Sequence, residues 1–296
     1  LAAGAAQLTP SHPGGRHLRE KTAVLGAFPA QALCAIDGVD RLAIMATIAR
    51  EAPAAFMHDG RDARRERCSA PLLGWSIEAD AVIGIGEPAL GDLLRGFAPA
   101  LRSTALLCLA FEEDFALLDG DDATVSWLAV CLPSRWAPEE KVGRRLAAIH
   151  APVADNARLL GASDALARLV TGSGRRERFV WTISADPRLH QHPARGVATW
   201  PAAADADADA LAAIASFRSE RQTFLPIAGA RRAIFTIRVE SAPLVDAITT
   251  RAAAERVHAA LASMSPAILA YKGLADARDR LLTWLAERAT ELSVSS

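Results

Sequence analysis

The sequence predicts an α+β fold, from two kinds of strand pattern and a group of helical patterns. Residues 179–183 and 233–239 carry large apolar side chains at every second position and are rich in aromatic and β-branched residues, which is typical of strands. Residues 125–132 are apolar on both faces, as in a buried strand. Apolar stripes with helical spacing fill residues 31–50 and the C-terminal region. Strands with interspersed and terminal helices, without repeated strand–helix–strand units, indicate an α+β architecture.

The composition narrows the class of protein. The 33 Lys and Arg residues balance 34 Asp and Glu residues, so no basic field that could hold nucleic acid is expected. No apolar stretch reaches the roughly 18–20 residues that cross a bilayer, so no membrane association is expected. The four cysteines form no C-x-x-C pair, which argues against a zinc ribbon or an iron–sulfur cluster held by this chain alone. Cysteines inside apolar runs suit a reducing compartment, and we expect a cytoplasmic protein.

Changes of texture along the chain suggest three parts. We expect a variable N-terminal region at 1–70, a core at 71–245 and C-terminal helices at 246–296 that pack on the core. Residues 1–22, rich in Gly, Pro, His and Arg, are expected to be loose and not to form a signal peptide. The charged run at 61–67 is interpreted as a solvated helix face in preference to a docking patch.

One motif suggests a nucleotide site that the surrounding sequence does not support. Gly84, Gly86 and Ala89 satisfy G-x-G-x-x-A after a short apolar run, which is the outline of a dinucleotide-binding fingerprint. The candidate strand is short, the next acidic residues lie behind a second apolar run, and no further strand–helix–strand units follow. We therefore interpret residues 84–89 as a turn between elements.

A helix that ends in a histidine is predicted at residues 138–150. Pro138 suits the first helical turn, and Pro152 is expected to end the helix. Val142, Leu146 and His150 follow one another at intervals of four residues, so they would share one face. Such a histidine is compatible with a helix cap, a satisfied core residue or an axial haem ligand, which needs a neutral imidazole in an apolar slot.

Two more clusters combine charged residues with aromatic ones. Residues 217–225 (FRSERQTFL) place Arg218, Glu220 and Arg221 next to a core strand, where they would form a salt-bridge cluster or clamp the carboxylates of a ligand. Residues 178–192 contain Trp181 on a strand, an Asp186-Pro turn and the pair His190 and His192. Metal binding by that pair is one interpretation, and a solvent-exposed loop is the favoured one.

Together these clusters resemble the haem-dependent oxidative N-demethylase alpha subunit family. The resemblance covers about residues 70–285, and the N-terminal third matches less well. It is carried by Glu113-Asp114, the P-S-x-W-x-P-x-x-K-x-G run at 133–143, Ile149-His150-x-Pro152-Val153, the W-T-I strand at Trp181, R-x-E-R-Q-T at 218–223 and F-T-I-R at 235–238.

The resemblance implies a PAS-like antiparallel sheet that holds haem b. It implies a catalytic subunit that uses O₂ to demethylate a small secondary amine such as dimethylamine, with release of formaldehyde. Electrons would come from NADPH through a flavin and iron–sulfur reductase partner. We expect His150 as the ligand of the haem iron, with His190 as the second candidate.

Further residues are expected around the haem. Arg218 and Arg221 would hold the propionates, with Lys141 as a further cation. Trp136 and Trp181 would form walls of the pocket. Glu220 and Asp186 are candidates for binding the cationic amine or for relaying protons.

Three other functions remain open from the sequence. A haem-binding PAS-type sensor would bind haem without turning over an amine. A scaffold or assembly subunit would be colourless even after haem supplementation. A nicotinamide enzyme that uses residues 84–89 would bind NADH.

Overall fold

The computed structural model describes residues 7–60, 66–172, 174–196 and 198–294. Within these ranges the chain forms two antiparallel sheets and a set of helices, which confirms the predicted α+β class. The more specific PAS-like description stays a prediction. The charged run at 61–67 falls largely outside the described residues, and its last residue begins a strand instead of extending a helix.

A large sheet contains six strands within the described part of the chain, in the spatial order β1-β7-β6-β10-β9-β8. All of its neighbouring strands pair antiparallel. The strands are β1 (Leu33–Ala35), β6 (Asp114–Asp119), β7 (Val125–Ala129), β8 (Arg176–Ser184), β9 (Ser216–Pro226) and β10 (Arg232–Pro243).

A small antiparallel sheet lies earlier in the chain, in the order β2-β3-β4-β5 among the described residues. Its strands are β2 (Met57–Asp59), β3 (Arg67–Ala70), β4 (Trp75–Glu78) and β5 (Ala81–Gly84).

Helices cover both sheets. The N-terminal half contributes α1 (Arg16–Ala27), α2 (Pro29–Ala32), α3 (Arg41–Glu51), α4 (Pro88–Gly96) and α5 (Pro99–Ala110). The middle contributes α6 (Leu146–His150), α7 (Ala157–Gly161), α8 (Ser163–Val170) and α9 (Ala208–Ile214). The C-terminal part contributes α10 (Leu244–Ala247), α11 (Arg251–Ala262), α12 (Pro266–Lys272) and α13 (Arg278–Val294), which share one apolar cluster.

The large sheet is buried on both faces except along the first half of β8, where Arg176 and residues 178–180 are exposed. Its back face carries Trp127, Leu117, Ile234 and Leu225, which join α5 in the main core. Its front face carries Leu128, Ala116, Phe235 and Phe224, which lie against side chains of residues 136–170. Because successive side chains of a strand alternate between faces, every other residue of β8 and β9 can be assigned to one face.

Three local expectations are wrong. Residues 1–22 are not loose throughout, because α1 begins at Arg16 and buries Leu18, Val24 and Leu25. The predicted helix at 138–150 is divided into a 3₁₀ turn at Pro138–Glu140 and the short α6, since Gly143 adopts φ +75° in between. Residues 217–225 were expected next to a core strand, but they are a strand themselves and form most of β9.

The G-x-G-x-x-A residues lie at a turn between β5 and α4, as interpreted above. The sheet before them is antiparallel, unlike the parallel sheet of a dinucleotide-binding fold. The glycines are needed for packing: a Cβ on Gly86 would lie 2.6 Å from Nε1 of Trp75, and a Cβ on Gly91 would lie 2.4 Å from its Cη2. They let the Trp75 ring lie against the backbone.

In the described ranges, no helix combines the length and the apolar character that crossing a bilayer requires.

Candidate functional site

Strand β9 places a row of polar side chains on the front face of the large sheet. Arg218, Glu220 and Gln222 follow at intervals of two residues, and Phe224 continues the row. Only 2% of Arg218 and 7% of Gln222 is exposed to solvent. Polar groups buried to this degree must find partners in the protein or in a ligand.

Arg218 finds its partners within the protein. Its Nε donates to Ser134 Oγ at 2.9 Å, and its two terminal nitrogens donate to the carbonyl oxygens of Arg188 and Leu189 at 3.0 and 2.9 Å. Burial lowers its pKa to about 10, although Glu220 counteracts the shift. Arg218 therefore holds residues 188–189 against the sheet, and its guanidinium serves structure first.

Glu220 joins this arginine to a second one through polar contacts. Its Oε1 accepts from the hydroxyl of Ser134, and its Oε2 accepts from Nε2 of Gln222 at 2.6 Å. Gln222 Oε1 in turn accepts from Nε of Arg178 on β8 at 2.6 Å. Burial lowers the pKa of Arg178, and the charge of Glu220 raises it again in part. Arg178 is itself exposed, and the hydrogen bonds of the described residues leave its terminal nitrogens open to solvent or to a ligand.

His150 ends α6 and is near enough to Arg178 to feel its charge. Its Nδ1 is 2.8 Å from the carbonyl oxygen of Leu146, and because a carbonyl only accepts, Nδ1 carries the proton. Burial lowers the pKa of His150, and the charges of Arg178 and Lys141 lower it further against the opposing effect of the Leu146 bond. The imidazole is therefore neutral near pH 7, and no described residue hydrogen-bonds to its Nε2.

An apolar cluster lies beside α6, the helix that ends at His150. Phe224 and Phe235 stack with ring centroids 4.7 Å apart, and Leu146 and Ile149 of α6 belong to the same cluster. Trp136 is half-buried and contacts both this cluster and the main core. The front face thus brings together a neutral imidazole, two cations and an apolar surface.

The structure separates two predicted residues from this group. Arg221 is three residues from Arg218 on β9, so it lies on the back face, where its Nε bonds Glu177 Oε1 at 2.5 Å. Trp181 also lies on the back face, stacked on Phe217 with centroids 5.6 Å apart. It lines a cavity of about 540 Å³ together with Val257 of α11, away from the front face.

Asp186 is already paired. Both of its carboxylate oxygens accept from the guanidinium of Arg188, at distances from 2.5 to 3.1 Å. Burial alone would raise the pKa of Asp186, but these bonds more than compensate, and the pKa lies below its ordinary value. The carboxylate anchors its own loop.

His190 and His192 are buried, so the interpretation as a solvent-exposed loop is wrong. They are 7% and 3% exposed, and their rings stack with centroids 6.1 Å apart. His190 Nδ1 donates to the carbonyl oxygen of Cys131 at 2.7 Å, and its buried Nε2 has no hydrogen-bond partner. His192 Nε2 bonds Glu139, 3.1 Å away. The two rings stack on each other and bond different partners, so they are not arranged around a shared metal position.

The sequence predictions gave no role to Ser134, Arg178 or Gln222. Gln222 could have been found, because a strand at 217–225 places it on the same face as Glu220. Ser134 could not be found that way, since its contact with Glu220 joins residues 86 positions apart.

Comparison with known proteins identifies a family for this chain. A family described as haem-dependent oxidative N-demethylase, alpha subunit-like, matches residues 97–282, which is more than half of the 296 residues. The front-face network and His150 lie inside this range, and the small sheet lies outside it. The search of curated proteins gave no match.

Proposed function

Because the chain belongs to the haem-dependent oxidative N-demethylase alpha subunit-like family, we propose that it binds haem b on the front face of the large sheet. There it would use O₂ to remove a methyl group from a small secondary amine. The observation that carries the proposal is His150: a neutral imidazole whose Nδ1–H is oriented by a backbone carbonyl while Nε2 is left without a partner. Histidine ligands of metals are oriented in this way.

The residues around His150 fit the rest of a porphyrin. Haem propionates are carboxylates, and arginine binds them with charge-assisted hydrogen bonds. Arg178 and Lys141 both lie close enough to His150 to influence its charge. We propose these two as the propionate partners. Arg218 would hold residues 188–189 against the sheet beside the site, and Arg221 on the back face would take no part. Phe224, Phe235 and Trp136 would supply the apolar contacts.

Haem binding requires the front face to open. Leu146 and Ile149 pack in one cluster with Phe224 and Phe235. A flat macrocycle can reach both His150 and the sheet only if α6 moves away from the two phenylalanines. We therefore propose that residues 146–170 form a cover that closes over the bound group.

When bound, haem supplies the oxidation of the N-methyl group with O₂. The protein would orient the amine against the phenylalanine surface and limit the access of water. Glu220 is surrounded by Arg178, Arg218 and Lys272, each of which feels its charge, so it is already balanced and has little attraction left for an ammonium group. We propose that Glu220 and Ser134 transfer protons instead. Asp186 would hold its own loop in place through its pair with Arg188.

Electrons must come from another protein. We propose an NADPH-dependent reductase with flavin and iron–sulfur centres, the partner that the family resemblance implies. The overall change would convert the secondary amine, O₂, NADPH and one proton into the primary amine, formaldehyde, water and NADP⁺.

The proposal is tested by reconstituting the full chain with haem and following formaldehyde. The chain is supplied with a flavin and iron–sulfur reductase, NADPH, air and dimethylamine. We expect a Soret band on haem addition and amine-dependent formaldehyde that matches NADPH consumption. Trimethylamine and methylamine, assayed in parallel, define the amine class.

Two of the alternative functions give a different result in this assay. A haem-binding sensor shows the Soret band but no amine-dependent formaldehyde. An assembly subunit shows no haem binding at all. Either result overturns the enzymatic proposal.

A further inference from the structure

The small sheet brings three possible metal ligands together outside the family-matched range. His58 on β2 and Cys68 on β3 are directly opposite each other in the antiparallel pair. Glu66 lies two residues before Cys68, so the alternation of a strand gives both the same side. One ligand atom from each residue lies within 4.8 Å of the other two.

The spacing and burial suit a small ion. Cys68 Sγ is 3.4 Å from Glu66 Oε1, and His58 Nε2 is 3.7 Å from the same oxygen. Tetrahedral zinc with bonds of about 2.0–2.3 Å separates its ligand atoms by roughly 3.2–3.8 Å. The His58 side chain is 3% exposed and that of Glu66 is 11% exposed. Nε2 of His58 is buried and has no hydrogen-bond partner. Because buried polar atoms normally have a partner, this atom indicates a missing ligand.

The donor set selects among metals. One sulfur, one nitrogen and one oxygen suit zinc, whereas magnesium and calcium prefer oxygen alone. A thiolate and a carboxylate together neutralise a divalent ion, so the filled site would carry no net charge into the core. Burial raises the pKa of the Cys68 thiol and lowers that of His58, so without metal the thiol keeps its proton and the imidazole is neutral.

A second cluster with similar residues shows what distinguishes this one. His17, Glu112 and Glu240 also place their ligand atoms within 4.8 Å of one another. There the imidazole Nε2 bonds the carbonyl oxygen of Val239 at 2.7 Å. Both carboxylates are paired with Arg238 at 2.6 Å. That cluster is satisfied by the protein itself.

We propose that His58, Glu66 and Cys68 form a zinc site that ties β2 to β3. Zinc binds to sulfur as the thiol proton leaves to solvent: Cys68–SH and Zn²⁺ give Cys68–S–Zn⁺ and H⁺. Water completes the coordination. The site is independent of haem and acts on the stability of the small sheet.

The test uses the full chain, stripped of metal with a chelator and then titrated with Zn²⁺ or Co²⁺. We expect about one zinc retained per chain after gel filtration and release of about one proton per zinc near neutral pH. Cobalt should give a thiolate charge-transfer band in the near ultraviolet and tetrahedral bands in the visible difference spectrum, from which haem absorption cancels. Zinc should also raise the midpoint of thermal unfolding.

Variants locate the site. His58→Ala and Cys68→Ser should each weaken zinc binding by more than the roughly 10–100-fold that is typical of losing an outer hydrogen-bond partner of a ligand. Cys34→Ser, at a thiol on β1, and His12→Gln, at an exposed histidine, are the matched controls and should bind zinc like the unaltered chain.

Either of two results overturns the proposal. One is a wild-type chain that retains no zinc and shows no thiolate–cobalt band. The other is a set of folded His58→Ala and Cys68→Ser variants that bind zinc as tightly as the controls. The wild-type cobalt spectrum decides the question even if a variant does not fold, and neither result affects the haem proposal.

Discussion

Arg178 and Gln222 face each other across β8 and β9, and the arginine Nε donates to the glutamine oxygen at 2.6 Å. This bond orients the guanidinium, whose charge helps to lower the pKa of His150, and it leaves the terminal nitrogens for a ligand. The same pair of strands places Arg221 on the other face. The two arginines therefore form a natural comparison for the haem proposal.

Arg178→Ala should weaken haem binding by about tenfold or more, since a hydrogen bond to a charged group contributes about 1.5–3 kcal/mol. The measurement is a haem titration followed at the Soret band. Arg221→Ala is the control from the opposite face and should leave the affinity unchanged. Equal losses in the two variants would show that the propionates do not lie on the front face.

Arg218→Met should destabilise the fold by about 3–5 kcal/mol, because it leaves the charge of Glu220 less compensated and removes support from residues 188–189. Urea unfolding of the full chain measures this free energy. Arg232→Met breaks a more exposed pair with Asp119 and should cost less than about 1 kcal/mol. A loss for Arg218→Met no larger than that would contradict the structural role given to Arg218.

Gly91→Ala should destabilise the protein by about 1–3 kcal/mol, because the new Cβ would overlap the Trp75 ring. Gly96→Ala in the same helix meets no atom within 4 Å and should be neutral or slightly stabilising. Thermal or urea unfolding compares the two. If Gly91→Ala is as stable as Gly96→Ala, the close packing of Trp75 against Gly91 does not contribute to stability as stated.

The sequence predicted those strands whose apolar residues alternate. Residues 179–183 and 233–239 lie in β8 and β10 because aromatic and β-branched side chains mark one face of each. Strand β9 was missed because Arg218, Glu220 and Gln222 replace apolar residues on its front face. A buried ion network has no hydrophobic period, so only the paired strands reveal it.

The sequence singled out residues of the candidate site but not their arrangement. Residue chemistry and the family resemblance together drew attention to His150, Arg218 and Glu220, whose roles at the site stay predictions. The separation of Arg221 follows from strand alternation, which a cluster interpreted without secondary structure cannot supply. The predicted helix at 138–150 is interrupted because Gly143 adopts a left-handed backbone conformation. The helix-forming residues around Gly143 gave no indication of this interruption.

Acid should destabilise the protein in part through His190. Burial lowers the pKa of His190 below 6.5, so the unfolded chain takes up its proton first as the pH falls. Above about pH 6.5, His190 therefore has no pH-dependent effect on the free energy of unfolding. Below that pH it lowers the free energy of unfolding, and the effect increases as the pH falls. Urea unfolding at about pH 7.5 and pH 5.5 should show a smaller loss for His190→Gln than for the wild type. Identical losses would mean that His190 does not titrate differently on unfolding.

Haem should change the exposure of the cover at residues 146–170. Since α6 must separate from Phe224 and Phe235 to admit a macrocycle, hydrogen exchange in this segment should differ between the chain with and without haem. Helix α13 lies in the C-terminal cluster and serves as the internal control. An unchanged exchange pattern at 146–170, with haem bound, would place the haem elsewhere.

The most direct measurement is the visible spectrum of His150→Gly titrated with haem, with and without added imidazole. We predict that the variant loses the Soret band of the wild type and regains it when imidazole occupies the vacated position, while His190→Gln keeps the wild-type spectrum. A His150→Gly variant that binds haem with an unchanged spectrum would contradict the account, and loss of the band in His190→Gln alone would assign the iron to His190.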